Sequence, residues 1–186
     1  MKKNQNIEIE IKLSRELLAS IALIIAIIAV WIYDPAAKPE IQEGSSIYQG
    51  PYEVVKIVDG DTIKLDIDDE VTSVRLIGID TPESVHPNKE KNVPEGKLAA
   101  EHTKALAADK YVYIEYGEEA HDRYGRVLAY VYLDEKTMLN AQLIEDGYAE
   151  VYTIKPNDKY EDYFLNLEEK AKKNNSGLWS TGVFDD

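Results

Sequence analysis

Three observations predict the fold class: five short runs rich in β-branched and aromatic residues, one helical segment between the third and fourth runs, and two more after the fifth. Together they predict an α+β chain, a five-stranded OB-type Greek-key β-barrel with three α-helices, preceded by an N-terminal transmembrane helix. A length of 186 residues fits one such domain with appendages.

Residues 1–16 mix Lys2, Lys3, Lys12 and Arg15 with Glu8, Glu10 and Glu16 and read as a cytoplasmic N-terminus. Residues 17–33 then run uncharged from Leu17 through Ile21, Leu23, Ile24, Ile25, Ile27 and Ile28 to Trp31 and Tyr33. The run is apolar on every face, about the length of a bilayer span, and ends in interfacial aromatics, so it reads as a transmembrane anchor or signal segment. A signal peptide has a shorter apolar stretch and a small-residue cleavage site close behind it; here Gly44-Ser45-Ser46 is distant, which favours the uncleaved anchor. More Lys and Arg precede the span than follow it, which orients the rest of the chain outside the cell. Residues 34–51, with three prolines, two glycines and a serine pair, read as a linker.

From Tyr52 the pattern changes. Tyr52–Val58 reads as the first strand and Asp59-Gly60 as a hairpin turn. Thr62–Ile67 places Ile63, Leu65 and Ile67 on one face, Asp68-Asp69 turns the chain, and Val71–Ile79 is the third strand. Glu95–Ala108 is expected as a helix with Leu98, His102, Ala105 and Leu106 on its inner face. Tyr111–Tyr116 and Arg126–Leu133 are the last two strands, and Leu139–Glu145 and Tyr160–Lys173 the remaining helices. The domain is thus expected over 52–180, with 181–186 as a tail. His86 and His121 read as loop residues and His102 as helix packing.

The chain has no cysteine, which removes disulfides, thiolate metal sites and a cysteine nucleophile. Its formal net charge is −14, and from Ile47 onward 16 Lys and Arg stand against 29 Asp and Glu. A nucleic-acid binder ordinarily carries a basic footprint, so bulk charge argues against that substrate and local chemistry has to carry any such reading. Asp66, Asp68, Asp69, Glu70, Glu118, Glu119, Glu161, Asp162, Glu168 and Glu169 read as surface acids.

Three segments concentrate charged residues at turns: Asp59-Gly60-Asp61-Thr62, Arg75 through Glu83, and Asp122-Arg123-Tyr124-Gly125-Arg126. Singly, they read as a turn, a strand end with a helix cap, and solvated surface charge. The topology makes them converge. An antiparallel hairpin centred on Asp69 puts the start of the second strand beside the end of the third, so Asp61 and Asp80 meet at one rim of the barrel. Two adjacent carboxylates repel unless a cation lies between them. Pro82 biases Thr81 towards an extended backbone that presents its carbonyl as a third oxygen. Such all-oxygen ligation suits calcium or magnesium, and so few protein ligands imply weak calcium binding, on the order of 10⁻⁴–10⁻³ M. Arg75 and Asp80 are five residues apart, so a regular strand would point them to opposite faces; an irregularity near Gly78 is expected to bring them together.

These three segments, in this order and spacing, resemble the signature of the staphylococcal nuclease (thermonuclease) family, and the likeness runs from about Tyr52 to Trp179 through Lys155-Pro156-Asn157 and Gly177-Leu178-Trp179. The resemblance implies calcium ligands at Asp61, Asp80 and the backbone oxygen of Thr81, catalytic arginines at Arg75 and Arg126, and an acidic general base at Glu83. It implies hydrolysis of DNA and RNA at the P–O5′ bond, leaving 3′-phosphate ends, by a monomer. It places Arg123 where the family carries a lysine beside the terminal phosphate, Tyr124 at a family tyrosine, and Tyr152 at a base-stacking tyrosine whose partner two residues on is here Ile154. The rival reading is a nucleic-acid-binding or protein-interaction barrel without chemistry; members in that role typically lose the charged site residues, which this chain retains. A surface-anchored structural protein would explain the anchor and linker but give the charged segments no purpose.

Overall fold

The computed structural model describes residues 48–185. The expected cytoplasmic segment, the membrane span at 17–33 and the linker as far as Ile47 lie outside these residues. Among the described residues no helix is long and apolar enough to cross a membrane.

The chain runs through β1 (Gln49–Asp59), β2 (Thr62–Ile67), β3 (Glu70–Leu76), β4 (Gly78–Asp80), α1 (Pro94–Ala107), β5 (Tyr111–His121), β6 (Val127–Tyr132), α2 (Leu139–Glu145), β7 (Glu150–Tyr152) and α3 (Glu161–Asn174). Five strands close a barrel in the order β1-β2-β3-β6-β5, and β4 with β7 forms a separate two-stranded ribbon. The barrel begins at Gln49, inside the segment expected to be linker, because Gln49 pairs with Ile114 and Tyr52 with Val112.

The alternation of β2 has the predicted effect. Ile63 and Leu65 are wholly buried and meet Val54, Val74, Val112, Ile114 and Val131 in one core. Asp68 and Asp69 form the β2–β3 turn with φ of 53° and 65°, the paired left-handed conformation of a two-residue hairpin whose twist matches its strands. The resulting register pairs Thr62 with Arg75 and Ile67 with Glu70. The barrel closes where β3 runs parallel to β6, Arg75 opposite Leu128.

The expected third strand is broken at Ile77-Gly78. Gly78 has φ +79°, and a Cβ there would lie 2.7 Å from the Phe164 ring, so only glycine combines this backbone with close packing of α3. The chain leaves the barrel at this point and β4 pairs with β7, a strand the sequence reading lacked.

The inner face of α1 differs from the expected one. Ala99, Thr103 and Ala107 are buried, while Leu98 is exposed. The helix lies so close to the barrel that only small side chains fit: a Cβ on Gly60 would be 2.9 Å from Ala99 Cβ. Thr103 Oγ1 donates to the Gly60 carbonyl at 2.6 Å. His102 packs as expected, stacked on Tyr148, and its Nε2 also lies 2.7 Å from Asp146 Oδ2.

Candidate active site

The site lies at the rim where the β1–β2 turn, the β3–β4 break and the loop before β6 come together. Arg75 closes β3 with its side chain largely buried. Its Nη1 forms an ion pair with Asp61 Oδ2, and its Nη2 donates to Asp80 Oδ1 at 2.6 Å and to the Ile79 carbonyl at 3.1 Å. The reversal at Gly78 is what lets Arg75 and Asp80 face each other. Burial holds the Arg75 guanidinium below its ordinary pKa, and the Asp80 charge offsets only part of that.

Arg126 enters from the β5–β6 loop. Its Nε donates to Asp122 Oδ2 at 2.6 Å, and its backbone N–H to Asp122 Oδ1 at 2.9 Å. Tyr124 N–H donates to the same Oδ1 at 2.8 Å, so one carboxylate shapes the whole loop. Burial raises the Asp122 carboxyl, but the Arg126 side chain and the two backbone donors outweigh it and hold the pKa below the usual carboxylate range. Arg126 Nη1 also donates to Thr62 Oγ1 at 3.4 Å, and Thr62 Oγ1 donates to Asp61 Oδ1 at 2.9 Å. A continuous polar chain therefore runs from Arg126 through Thr62 and Asp61 to Arg75 and Asp80.

Both arginines line a cleft of about 470 Å³ together with Arg123, Tyr124, Tyr152 and Ile154. Tyr124, Tyr152 and Ile154 are largely exposed there, and Arg123 lies over the Tyr124 ring with its Nη2 2.7 Å from the phenol oxygen. Asn157 braces one wall: its Oδ1 accepts from Glu119 N–H and its Nδ2 donates to the Glu119 carbonyl, each at 2.9 Å.

Glu83 stands beyond Asp80 with an exposed side chain. Partial burial and the Asp59 charge raise its carboxyl pKa above the ordinary value, Asp80 adding to them and His86 and Arg75 opposing. Thr81 is buried, and its Oγ1 has no hydrogen-bond partner.

All nine residues singled out from the sequence lie along this rim or its cleft. Asp61 and Asp80 each contact Arg75; Arg126 joins them through Thr62; Arg123, Tyr124 and Tyr152 line the cleft. Thr62, Asp122 and Asn157 were missed as site residues, because each acts through a partner rather than carrying the motif's charge. Glu168, read as a surface acid, is buried instead: Oε1 accepts from Val151 N–H and Oε2 from Lys172 Nζ, each at 2.8 Å, which ties β7 to α3. Among the described residues no group of three or more His, Cys, Asp or Glu gathers into a metal site. The rim offers two carboxylates and backbone oxygen, an all-oxygen set that fits a hard divalent cation.

Fold and rim together define an OB-type barrel protein with a cleft lined by three arginines. Residues 73–181 match the family model described as staphylococcal nuclease homologue, and the chain belongs to that family. It is 39% identical to the thermonuclease of Staphylococcus hyicus over 73% of this chain and 79% of that one. It is 36% identical to the thermonuclease of Staphylococcus intermedius over 86% of this chain and 94% of that one. A third relative, the SPbeta prophage-derived endonuclease YokF of Bacillus subtilis, is 39% identical over 67% of this chain and 42% of its own length.

Proposed function

We propose that this chain is a calcium-dependent nuclease that hydrolyses phosphodiester bonds of DNA and RNA at P–O5′ and leaves 3′-phosphate ends. The observation that carries the reading is that Arg75 and Arg126 line one cleft, with Asp61 and Asp80 both on Arg75 and Glu83 just beyond. Two planar, charged guanidinium groups suit bidentate contact with phosphate oxygens as negative charge builds on them. Glu83, whose carboxyl pKa is raised by partial burial and by the Asp59 charge, orients and deprotonates the attacking water. Asp61, Asp80 and the Thr81 backbone oxygen would hold the calcium, which when bound acts as a Lewis acid on the phosphodiester. Arg123 and Tyr124 receive the terminal phosphate side of the substrate, and Tyr152 stacks on a base. The names of the relatives, thermonucleases and an endonuclease, support the same reading.

The domain is proposed to act outside the cell as a monomer on its amino-terminal anchor; amino-terminal sequencing of the native protein distinguishes an intact anchor from a cleaved one. The activity is tested by incubating the protein with plasmid and with RNA, in calcium and then in chelator. Degradation of both with calcium and neither with chelator is expected. No calcium-dependent degradation across a range of salt and pH refutes the reading.

A further inference from the structure

The peptide group joining Glu83 to Ser84 is held at both ends. Its carbonyl accepts from Val93 N–H at 3.0 Å, just ahead of α1. Its N–H donates to Asp59 Oδ2 at 3.3 Å, and the Ser84 hydroxyl donates to Asp59 Oδ1 at 2.7 Å. Asp59 is itself buried at the β1–β2 turn, where Oδ1 also accepts from Gly60 N–H at 2.9 Å. On the opposite side α1 leaves no clearance: a Cβ on Gly96 would lie 2.3 Å from the Glu83 carbonyl oxygen. The residue before Glu83 is a proline of fixed φ, and Thr81 ahead of it packs against Gly60.

This amount of fixing is unusual for an exposed segment. A loop residue with an exposed carboxylate normally loses little by moving, since nothing is buried that holds it. Here the barrel's own hairpin turn reaches across 25 residues of sequence to grip the amide next to the carboxylate. The arrangement has no evident use in the core, of which Ser84 is no part.

We propose that Ser84 is a positioning residue, which with Asp59 clamps the Glu83–Ser84 peptide and so fixes where the Glu83 carboxylate meets the attacking water. The proposal rests on the nuclease reading given above. Neither Ser84 nor Asp59 touches the substrate in it; both act through Glu83.

The test compares Ser84→Ala, which removes the gripping hydroxyl, with Ser84→Thr, which retains it. Ser84→Ala is expected to lower kcat about 10–100-fold, the range associated with misplacing a reacting group by up to an ångström, with KM within about twofold. The shift in Tm should stay within about 4 °C. Ser84→Thr should recover most of the rate. In the free protein, amide hydrogen exchange at Glu83 to His86 should speed up in Ser84→Ala and return to normal in Ser84→Thr. An unchanged kcat in Ser84→Ala overturns the proposal, as does a Ser84→Thr variant as slow as the alanine. A rise in KM matching the fall in kcat, or a Tm drop well beyond that limit, also overturns it by showing a binding or purely structural role. Failure of the wild-type protein to cleave nucleic acid refutes the nuclease reading instead, while the exchange measurement still reports on the clamp.

Discussion

Arg126 and Asp122 grip each other twice, side chain to side chain at 2.6 Å and backbone to side chain at 2.9 Å. The guanidinium is thereby aimed into the cleft by a carboxylate four residues earlier on the same loop. This pairing makes a prediction about pH. The folded-state pKa of Asp122 lies below its ordinary value, so the stability it contributes is present in full above the unfolded value of about 3.9. It is lost as pH falls through the lower, folded value. Asp122→Asn should therefore melt below wild type at pH 7, with the gap closing as the pH approaches 3. Melting curves for both proteins from pH 7 to pH 3 check this; a gap of constant size means the charge on Asp122 is not what holds the loop.

Arg126→Ala and Glu83→Ala should each leave the fold intact, because neither side chain is part of the core. Turnover should fall by about 10²–10³ for the arginine, as for other groups that stabilise developing negative charge, and by about 10²–10⁴ for the glutamate. Steady-state kinetics alongside circular dichroism make the comparison. A variant that folds and cleaves at a near-normal rate removes its residue from the mechanism.

The acidity of the domain leaves the cleft's positive charge to a few groups, Arg75, Arg123 and Arg126. Three phosphate contacts predict a plot of log affinity against log salt with a slope of about −2 to −3. Fluorescence anisotropy with a labelled oligonucleotide and the Glu83→Ala variant would give the slope. A value as steep as that of a strongly basic nuclease contradicts a local, cleft-centred mode of binding.

Ile154 is exposed in the cleft wall two residues after Tyr152. Replacing it with tyrosine adds a stacking surface beside an existing one, and base–aromatic stacking contributes about 1–3 kcal/mol. Ile154→Tyr should lower KM for single-stranded substrate about tenfold or more with little change in kcat. An unchanged KM would show that substrate bases do not reach this position.

The hairpins, the core alternation and the break at Gly78 were legible in the sequence because each is a local pattern. The turn needs Asp59-Gly60, β2 needs Ile63 and Leu65 two apart, and Arg75 and Asp80, five apart, can face one site only across an irregularity between them. What escaped depends on distant partners. The ribbon strand β7 is three residues long, and its partner is 70 residues away. Helical spacing puts Glu168 on the face of Phe164, Leu167 and Ala171 and Glu169 off it, but the Val151 amide that makes burial of an acid possible there comes from a distant strand. The inner face of α1 went to the larger apolar residues by periodicity, whereas the close approach of the barrel selects alanine and threonine. Asp59 looked like one half of a turn; its hold on Ser84 depends on the fold that brings the two together.

The β4–β7 ribbon pairs Gly78 with Tyr152 and Asp80 with Glu150. One short piece of backbone therefore carries Asp80 of the rim on one strand and Tyr152 of the cleft wall on the other, and it stands apart from the barrel sheet. Main-chain pairing along the ribbon joins the two strands directly, with no loop between Asp80 and the strand of Tyr152. In the proposed reading, a base seated against Tyr152 would bear on the same ribbon that carries Asp80, so that grip and chemistry would be geared together.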